Sequence, residues 1–206
     1  MQICEIFYSL QGESTYAGLP CIFIRLAGCN LLCNYCDTPL SHEEGCEYSL
    51  DRIMEEIKTY PAKLVEITGG EPLLQSDCLQ LTESLEQAGY TLLMETNGSL
   101  SVQPVSNAVH LIIDVKLPGS GAGGSFLTDN LQWLKAGWDE IKFVVSDRSD
   151  FEYTLAFVRE HKLEKHILLV SPVTDRLDPA TLADWILQSG LPLRLNLQLH
   201  KLLKLK

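Results

Sequence analysis

Short apolar runs alternate along the chain with longer segments in which apolar residues recur at helical spacing. The short runs are rich in Ile, Val, Leu and Phe and lack sustained alternation with polar residues. This pattern is typical of strands buried on both faces of a parallel sheet. It predicts eight strands, at residues 3–8, 21–26, 64–68, 91–95, 111–115, 140–145, 166–170 and 193–198.

The segments between these runs carry helix signals. Ser49 can cap a helix whose Leu50 and Ile53 lie on one face, and Asp178 can cap another that begins with a first-turn proline. Gly89 and Gly190 stand where a helix would end in the left-handed conformation. Predicted helices therefore begin after Ser49 and Asp178, and three more cover residues 77–88, 130–135 and 149–161.

Alternating strands and helices predict an α/β protein with right-handed crossovers. About six such units are too few for a closed eight-stranded barrel, so the prediction is a compact, incomplete TIM-like barrel formed by residues 1–206 as one domain. Ligands of parallel α/β folds collect at the carboxyl ends of the strands. We therefore expect the polar segments that follow the strands to meet at one mouth; these are 27–38, 68–72, 95–98, 114–116 and 171–175.

The composition is that of an ordinary globular protein, with 46% hydrophobic and 21% charged residues among 206. No apolar run approaches the roughly 18 residues that span a bilayer, and the amino terminus has no secretory pattern. Sixteen basic against 27 acidic residues give a net charge of −11, which disfavours binding to nucleic acid. We expect a cytoplasmic protein that acts on a small molecule, without nucleic-acid or membrane partners.

Seven cysteines are an odd number, which argues against a complete disulfide framework. Four are scattered, and we expect them to be small buried hydrophobes: Cys4, Cys21, Cys46 and Cys78. The other three lie within eight residues of one another, at Cys29, Cys33 and Cys36. Clustered cysteines in a reducing compartment indicate metal or redox chemistry.

The three clustered thiols allow more than one interpretation. They can ligate three irons of a 4Fe–4S cluster and leave the fourth iron open to S-adenosylmethionine, whose reductive cleavage yields a 5′-deoxyadenosyl radical. With His42 they form a Cys3His set that a structural zinc would accept. Cys33 and Cys36 alone match a thioredoxin-like C-x-x-C pair. The spacing leaves these alternatives open.

Two glycine-containing segments also need interpretation. In residues 68–72, Thr-Gly-Gly-Glu-Pro, the glycine amides can bind a carboxylate and Glu71 can accept hydrogen bonds from an ammonium group, although a plain strand-to-helix turn has the same sequence. Gly119, Gly121 and Gly124 match the G-x-G-x-x-G spacing of dinucleotide-binding proteins. Because Pro118 precedes them and no helix is predicted to begin there, we expect a mobile loop instead.

Ordered motifs along almost the whole chain resemble a known family. The C-x3-C-x2-C spacing with Gly-Gly-Glu-Pro downstream resembles the radical S-adenosylmethionine superfamily. Within it the chain is similar to the 7-carboxy-7-deazaguanine synthases, in EIFYSLQGE (5–13), FIR (23–25), GCNL (28–31), CDT (36–38), GGEPLLQ (69–75), ETNG (95–98) and QLHK (198–201).

The resemblance implies a reaction, its cofactors and its partners. The family has an incomplete barrel, usually forms homodimers, and converts 6-carboxy-5,6,7,8-tetrahydropterin to 7-carboxy-7-deazaguanine with loss of ammonia, on the route to queuosine. The resemblance also implies a 4Fe–4S cluster, S-adenosylmethionine, Mg2+ and an electron donor such as flavodoxin or ferredoxin. Two alternatives are a glycyl-radical enzyme activase, which needs a peptide groove, and a non-enzymatic zinc-stabilised domain.

The resemblance also assigns residues. Thr38 corresponds to the position that gives an oxygen to Mg2+, and residues 193–206 to a segment that closes over the pterin. The substrate contacts it implies are Leu10, Gln11, Gly12, Glu13, Arg25, Thr68, His200 and Lys206, with Arg25 holding the substrate carboxylate. The S-adenosylmethionine contacts it implies are Tyr35, Cys36, Asp37, Gly70, Glu71, Asp114, Lys116 and Ser171. Ser14 departs from the pattern, since glycine is common there.

Overall fold

The computed structural model describes residues 1–206 as one mixed sheet flanked by helices. Its nine strands are β1 (Gln2–Leu10), β2 (Pro20–Leu26), β3 (Cys46–Glu47), β4 (Leu64–Gly69), β5 (Thr91–Thr96), β6 (His110–Asp114), β7 (Glu140–Val145), β8 (Ile167–Pro172) and β9 (Leu193–Leu195). Its five α-helices are α1 (Leu50–Ile57), α2 (Asp77–Gln87), α3 (Arg148–His161), α4 (Pro179–Ser189) and α5 (Leu199–Leu203).

The strands lie in the order β3-β1-β2-β4-β5-β6-β7-β8-β9, and the two ends of this sheet are not joined. From β2 to β9 all neighbours are parallel, which confirms the predicted incomplete barrel. The prediction of an all-parallel sheet is wrong at one edge, because β1 pairs antiparallel with both β2 and β3. A short loop joins β1 to β2, so this pair is a hairpin and not a crossover unit.

Several helix signals are confirmed by the caps. The Ser49 hydroxyl accepts a hydrogen bond from the Arg52 amide, and the Asp178 carboxylate accepts one from the Ala180 amide. Gly190 ends α4 in the left-handed region, at φ 68°.

Two predicted elements differ from the observed structure. Residues 130–135 do not form an α-helix, because Thr128–Trp133 is a 3-10 helix in which the Asn130 amide group bonds to the Gly98 and Leu100 carbonyls. Only Leu193–Leu195 of the predicted strand 193–198 is extended, since α5 begins at Leu199.

Alternate residues of the strands pack into two separate apolar layers. Side chains such as Ile22 and Ile24 of β2 join helix residues such as Leu81 and Phe151 in the larger layer outside the sheet. The smaller layer is made only of strand residues, with Tyr16 packed against it: Phe7, Cys21, Phe23, Leu64, Leu93 and Ile112. This second layer, called the floor below, fills the inside of the incomplete barrel beneath its polar mouth.

The scattered cysteines are only partly as expected. Cys21 and Cys78 are buried, whereas Cys4 is half-buried and Cys46 is exposed on the edge strand β3. The prediction of burial is therefore wrong for Cys46, because that strand covers β1 from the outside and has no neighbour of its own beyond it. No helix has the length and apolar character needed to cross a membrane.

The glycine-rich loop is not a dinucleotide site. Pro118–Ser120 is a short 3-10 helix, the Gly119 amide donates to the Asp150 carboxylate over 2.8 Å, and no helix begins at Gly124. The Ser120 carbonyl accepts a hydrogen bond from the Asn34 amide in the cysteine loop, over 2.7 Å. The loop therefore supports the cysteine segment, and its mobility stays a prediction.

Candidate active site

The polar segments that follow the strands meet, as expected, around one cavity of about 720 Å³ at the carboxyl ends of the parallel strands. Residues from each of the five predicted segments line it, and so do residues of the β1–β2 loop and of the carboxyl-terminal segment. Functional side chains that are distant in sequence are therefore brought together at the place where the fold class predicts a ligand.

The three clustered cysteines all lie in the wall of this cavity, and none forms a disulfide. Gly70 has no space for a side chain, because a Cβ there would overlap the Gly28 carbonyl oxygen and lie 2.7 Å from Cys29 Cβ. The Gly-Gly segment thus packs its backbone directly against the cysteine loop. The His42 Nε2 atom lies 4.0 Å from Cys36 Sγ.

Five of the residues assigned to S-adenosylmethionine have side chains that line the cavity: Tyr35, Cys36, Asp37, Asp114 and Lys116. The Lys116 ammonium lies 2.8 Å from Asp114 Oδ2, while the buried Oδ1 atom of the same carboxylate has no hydrogen-bond partner. A buried acceptor without a partner is costly, so a ligand donor is the expected partner of Oδ1. The Tyr35 hydroxyl donates to the Val144 carbonyl over 3.0 Å.

Two residues assigned to the cofactor do not face it. Glu71 is fully buried, and its carboxylate accepts hydrogen bonds from the amides of Leu73 and Asn97 and from the Thr96 hydroxyl. In this structure the Glu71 carboxylate thus caps the following turn and does not line the cavity, and its contact with an ammonium group stays a prediction. Ser171 is also fully buried, with its hydroxyl oxygen accepting from Asn196 Nδ2 over 3.0 Å, so it lies behind the wall.

Arg25, near the end of β2, also lines the cavity. Its Nε donates to Glu5 Oε1 over 3.0 Å, and its Nη1 lies 3.4 Å from Thr38 Oγ1. Thr38 also lines the cavity and donates to Asp37 Oδ1 over 3.3 Å. A guanidinium held in this way next to a hydroxyl oxygen can bind a carboxylate and leave the oxygen for a hard cation.

The β1–β2 loop enters the barrel interior. Gln11 Nε2 donates to the Glu66 carboxylate, and a Cβ on Gly12 would overlap the His200 ring. Leu199 is bonded through its amide to the Gly12 carbonyl over 2.9 Å, so this loop and α5 are packed together. Ser14, where glycine is common in the family, has a φ of 65°. That left-handed conformation explains the preference for glycine.

Sequence reasoning missed a charged network beneath these contacts. The buried Lys142 ammonium lies 3.0 Å from Glu13 Oε2 and 3.6 Å from Asp114 Oδ2, and it also contacts the Glu95 carboxylate. The signal that could have found it is the presence of charged residues at alternate positions of apolar strands. Glu140 and Lys142 in β7 and Glu66 in β4 show this pattern, which in a barrel marks inward-facing side chains.

Burial and the Lys142 charge shift the pKa values of the carboxylates in this network in opposite directions. Burial raises the pKa of Glu66 to about 8, with the Glu95 charge adding to the effect. Burial and the charges of Glu13 and Asp114 also raise the pKa of Glu95, outweighing Lys142. For Glu13, burial is outweighed by the Lys142 charge and by a hydrogen bond from Gln198, so its pKa is lowered. The cavity therefore holds an ionised Glu13 beside at least one carboxyl that retains its proton near neutral pH.

The carboxyl-terminal segment contributes four residues to the cavity wall: Gln198, His200, Lys201 and Lys206. Gln198 Nε2 donates to Glu13 Oε1 over 2.7 Å, and the Lys201 ammonium lies 3.2 Å from Asp37 Oδ2. Burial alone would raise the pKa of Asp37, but the charges of Lys201 and Lys142 and two hydrogen bonds lower it to about 2. Farther along, the Lys206 ammonium lies 2.7 Å from Glu5 Oε2.

Comparison with known proteins identifies the family. A 7-carboxy-7-deazaguanine synthase of Koribacter versatilis is 46% identical over 217 residues, covering 98% of this chain and 96% of the relative. This chain belongs to the 7-carboxy-7-deazaguanine synthase family. The synthase of Chlorobaculum tepidum is 42% identical, covering 98% and 93% of the two chains, and the Radical SAM superfamily model matches residues 23–111.

Superposition on solved structures is consistent with membership of this family. The crystal structure of QueE from Escherichia coli superimposes with a TM-score of 0.78 and 27% identity, covering 97% of this chain and 94% of that one. A structure of TYW1 has a TM-score of 0.60 at 16% identity over 82% of this chain, which supports the fold alone. Radical S-adenosylmethionine enzymes use a 4Fe–4S cluster with that cofactor, and the cavity suits both through three unpaired cysteines and the free acceptor of Asp114.

Proposed function

We propose that the chain catalyses the reaction of its family, the ring contraction of 6-carboxy-5,6,7,8-tetrahydropterin to 7-carboxy-7-deazaguanine with loss of ammonia. The observation that carries this function is one cavity that holds the cysteine triad, the Arg25 guanidinium and the Gln11–Glu13 loop. The chain aligns with synthases over almost its whole length, so these residues occur in the family's context.

The cysteine triad would hold the cluster, with Cys29, Cys33 and Cys36 as its ligands. When bound, the cluster and S-adenosylmethionine supply a carbon radical that can remove hydrogen from the substrate. Tyr35, Asp37, Gly70, Asp114 and Lys116 would surround S-adenosylmethionine. Of these, Asp114 contributes the acceptor that has no partner within the chain.

The substrate would lie between Arg25 and the β1–β2 loop. Arg25 would bind its carboxylate, and Thr38 would give one oxygen to Mg2+, which takes its remaining ligands from water and substrate. The ionised Glu13 would accept hydrogen bonds from the amino-substituted edge of the pterin. Residues Leu10, Gln11, Gly12, Thr68 and His200 would complete the pocket, and the carboxyl-terminal segment from about residue 193 would close it, as part of one domain.

The partners of the enzyme belong to the same proposal. An electron must reach the cluster, and a small reduced carrier such as flavodoxin or ferredoxin would supply it. We also propose a homodimer that works in the cytoplasm, as expected for a pathway that uses reduced pterins and an iron–sulfur cluster. The negative net charge of −11 supports a small-molecule substrate over nucleic acid.

The test is turnover by anaerobically reconstituted protein. With reductant, S-adenosylmethionine and Mg2+, the carboxypterin should give the deazaguanine product and ammonia. Protein with an intact cluster that cleaves S-adenosylmethionine yet yields no such product would refute the proposal. Hydrogen abstraction from a partner protein without pterin binding would instead identify a glycyl-radical enzyme activase.

Metal analysis of cysteine variants tests the cluster itself. Anaerobically prepared wild-type protein should contain roughly four irons and four sulfides per chain, and Cys33→Ala should lose most of both. Cys46→Ala is the matched control, because that thiol is exposed on β3, away from the cavity. About one zinc per chain without iron or sulfide would support the zinc-stabilised domain instead.

A further inference from the structure

Glu5 stands directly opposite Arg25 in the antiparallel β1–β2 pair. Its Oε1 atom accepts the hydrogen bond from Arg25 Nε over 3.0 Å, and both side chains are about four-fifths buried. Because Nε is bound on one edge of the guanidinium and Nη1 reaches toward Thr38, the plane of the group is fixed. Nη2 makes no hydrogen bond within the chain and remains for a ligand.

The second oxygen of Glu5 binds the last residue of the chain. Lys206 Nζ lies 2.7 Å from Glu5 Oε2, and it also lies 5.0 Å from the Phe7 ring centre, where Arg25 lies at 5.8 Å. One carboxylate is therefore shared by two cations at the edge of the cavity.

We infer that Glu5 is a positioning residue for substrate, which orients Arg25 through Nε so that the remaining guanidinium nitrogens face the substrate carboxylate. This inference rests on the proposed function, because it assumes that Arg25 binds that group. The alternative is that the pair only stabilises the β1–β2 hairpin. In that case loss of Glu5 would weaken the binding of every pterin equally, whereas a positioning residue affects only the carboxylate-bearing one.

The experiment measures anaerobic binding to the cluster-loaded enzyme with S-adenosylmethionine and Mg2+ present. Two ligands are compared, 6-carboxy-5,6,7,8-tetrahydropterin and 5,6,7,8-tetrahydropterin, and the ratio of their Kd values is the carboxylate preference. Glu5→Ala should lower this preference about tenfold, the size of one charge-assisted hydrogen bond. Glu47→Ala on the exposed edge strand is the matched control and should leave it unchanged.

Two conservative variants distinguish the effect of the side-chain length of Glu5 from the effect of its charge. Glu5→Gln keeps an oxygen at the position that Nε contacts and should retain the preference within about threefold, although it removes the charge. Glu5→Asp keeps the charge but is one methylene too short, and it should lose the preference as Glu5→Ala does. In the Arg25→Ala background, Glu5→Ala should have no additional effect on the preference.

The outcomes distinguish this inference from the function on which it rests. A wild-type enzyme that binds both pterins equally would contradict the proposed role of Arg25, and with it the function. A wild-type enzyme with a clear preference that Glu5→Ala and Glu5→Asp both retain would overturn the positioning role of Glu5 alone. The positioning role of Glu5 would also be overturned if Glu5→Ala lowered the carboxylate preference further in the Arg25→Ala background.

Discussion

The glutamates beneath the cavity differ in pKa because their neighbours differ. Glu13 lies against the Lys142 ammonium and accepts from Gln198, whereas Glu66 receives only the Gln11 amide and faces other carboxylates. Departure of ammonia from a pterin ring requires a proton, so a neutral carboxyl beside an ionised one suits the proposed reaction. In the proposed function, Glu13 would recognise the pterin and Glu66 would supply the proton from the same pocket.

The raised pKa of Glu66 predicts that the difference in stability between the wild type and Glu66→Gln depends on pH. Folded protein holds a proton on Glu66 up to about pH 8, while the unfolded chain releases it near its ordinary value of 4.5. Folding therefore binds a proton in this window, and the free energy of unfolding falls as pH rises from about 4.5 to about 8. Glu66→Gln has no proton to lose, so its stability relative to the wild type should rise across the same window.

Urea unfolding of the anaerobic protein at several pH values measures this difference. Glu55→Gln, at an exposed position of α1, is the control and should follow the wild-type pH profile. If the difference in free energy of unfolding between Glu66→Gln and the wild type stayed constant from about pH 5 to about pH 8, the raised pKa of Glu66 would be contradicted.

At the scale of elements, α5 depends on a few polar contacts and has no buried residue of its own. Lys201 and Gln198 hold it against Asp37 and Glu13, and Leu199 bonds to Gly12 in the β1–β2 loop. Elements with few buried contacts open at a lower free-energy cost than the rest of a fold. We therefore expect α5 to open at a lower free-energy cost than the sheet.

Lys201→Ala should increase opening of the carboxyl-terminal segment. The pair with Asp37 is partly exposed, so its loss should raise hydrogen exchange in residues 196–206 by up to about fivefold and leave overall stability almost unchanged. Lys204→Ala is the matched control, because Lys204 is an exposed lysine of the same segment without an ion pair. Equal exchange in the two variants, measured by mass spectrometry, would show that Lys201 does not hold the segment.

The elements also show what the sequence can predict. Apolar runs identified the strand interiors, and Ser49, Asp178 and Gly190 marked helix ends, since these signals are local. The antiparallel direction of β1 was not predictable, because its apolar run looks the same in either direction. The cysteine triad was evident from its spacing, whereas the surroundings of Glu71 depend on contacts with residues 25 or more positions away.

At the scale of the whole molecule, two apolar layers separate the polar cavity from the helices and from the opposite end of the barrel. The outer layer joins sheet and helices, and the floor fills the barrel interior. Because the charged network lies directly above the floor, water is kept from it on that side. This exclusion strengthens the electrostatic interactions on which the pKa differences depend.

Leu93 tests the structural importance of the floor. It is fully buried there, so Leu93→Ala should lower the free energy of unfolding by about 2–5 kcal/mol. Leu187→Ala is the control, since that leucine is 81% exposed on α4 and should change stability by less than about 0.5 kcal/mol. Chemical denaturation measures both, and similar values for the two variants would contradict a packed interior layer.

The antiparallel hairpin has a consequence for how such enzymes diversify. Strand β2 begins at the loop that carries Gln11 and Glu13 and ends just before the segment that carries the three cysteines. In the proposed function, the residues that select the substrate and those that hold the cluster are thus attached to opposite ends of one strand, twenty-five residues or fewer apart. An exchanged hairpin tip could redirect the same radical generator to a different heterocycle, without altering a single thiol.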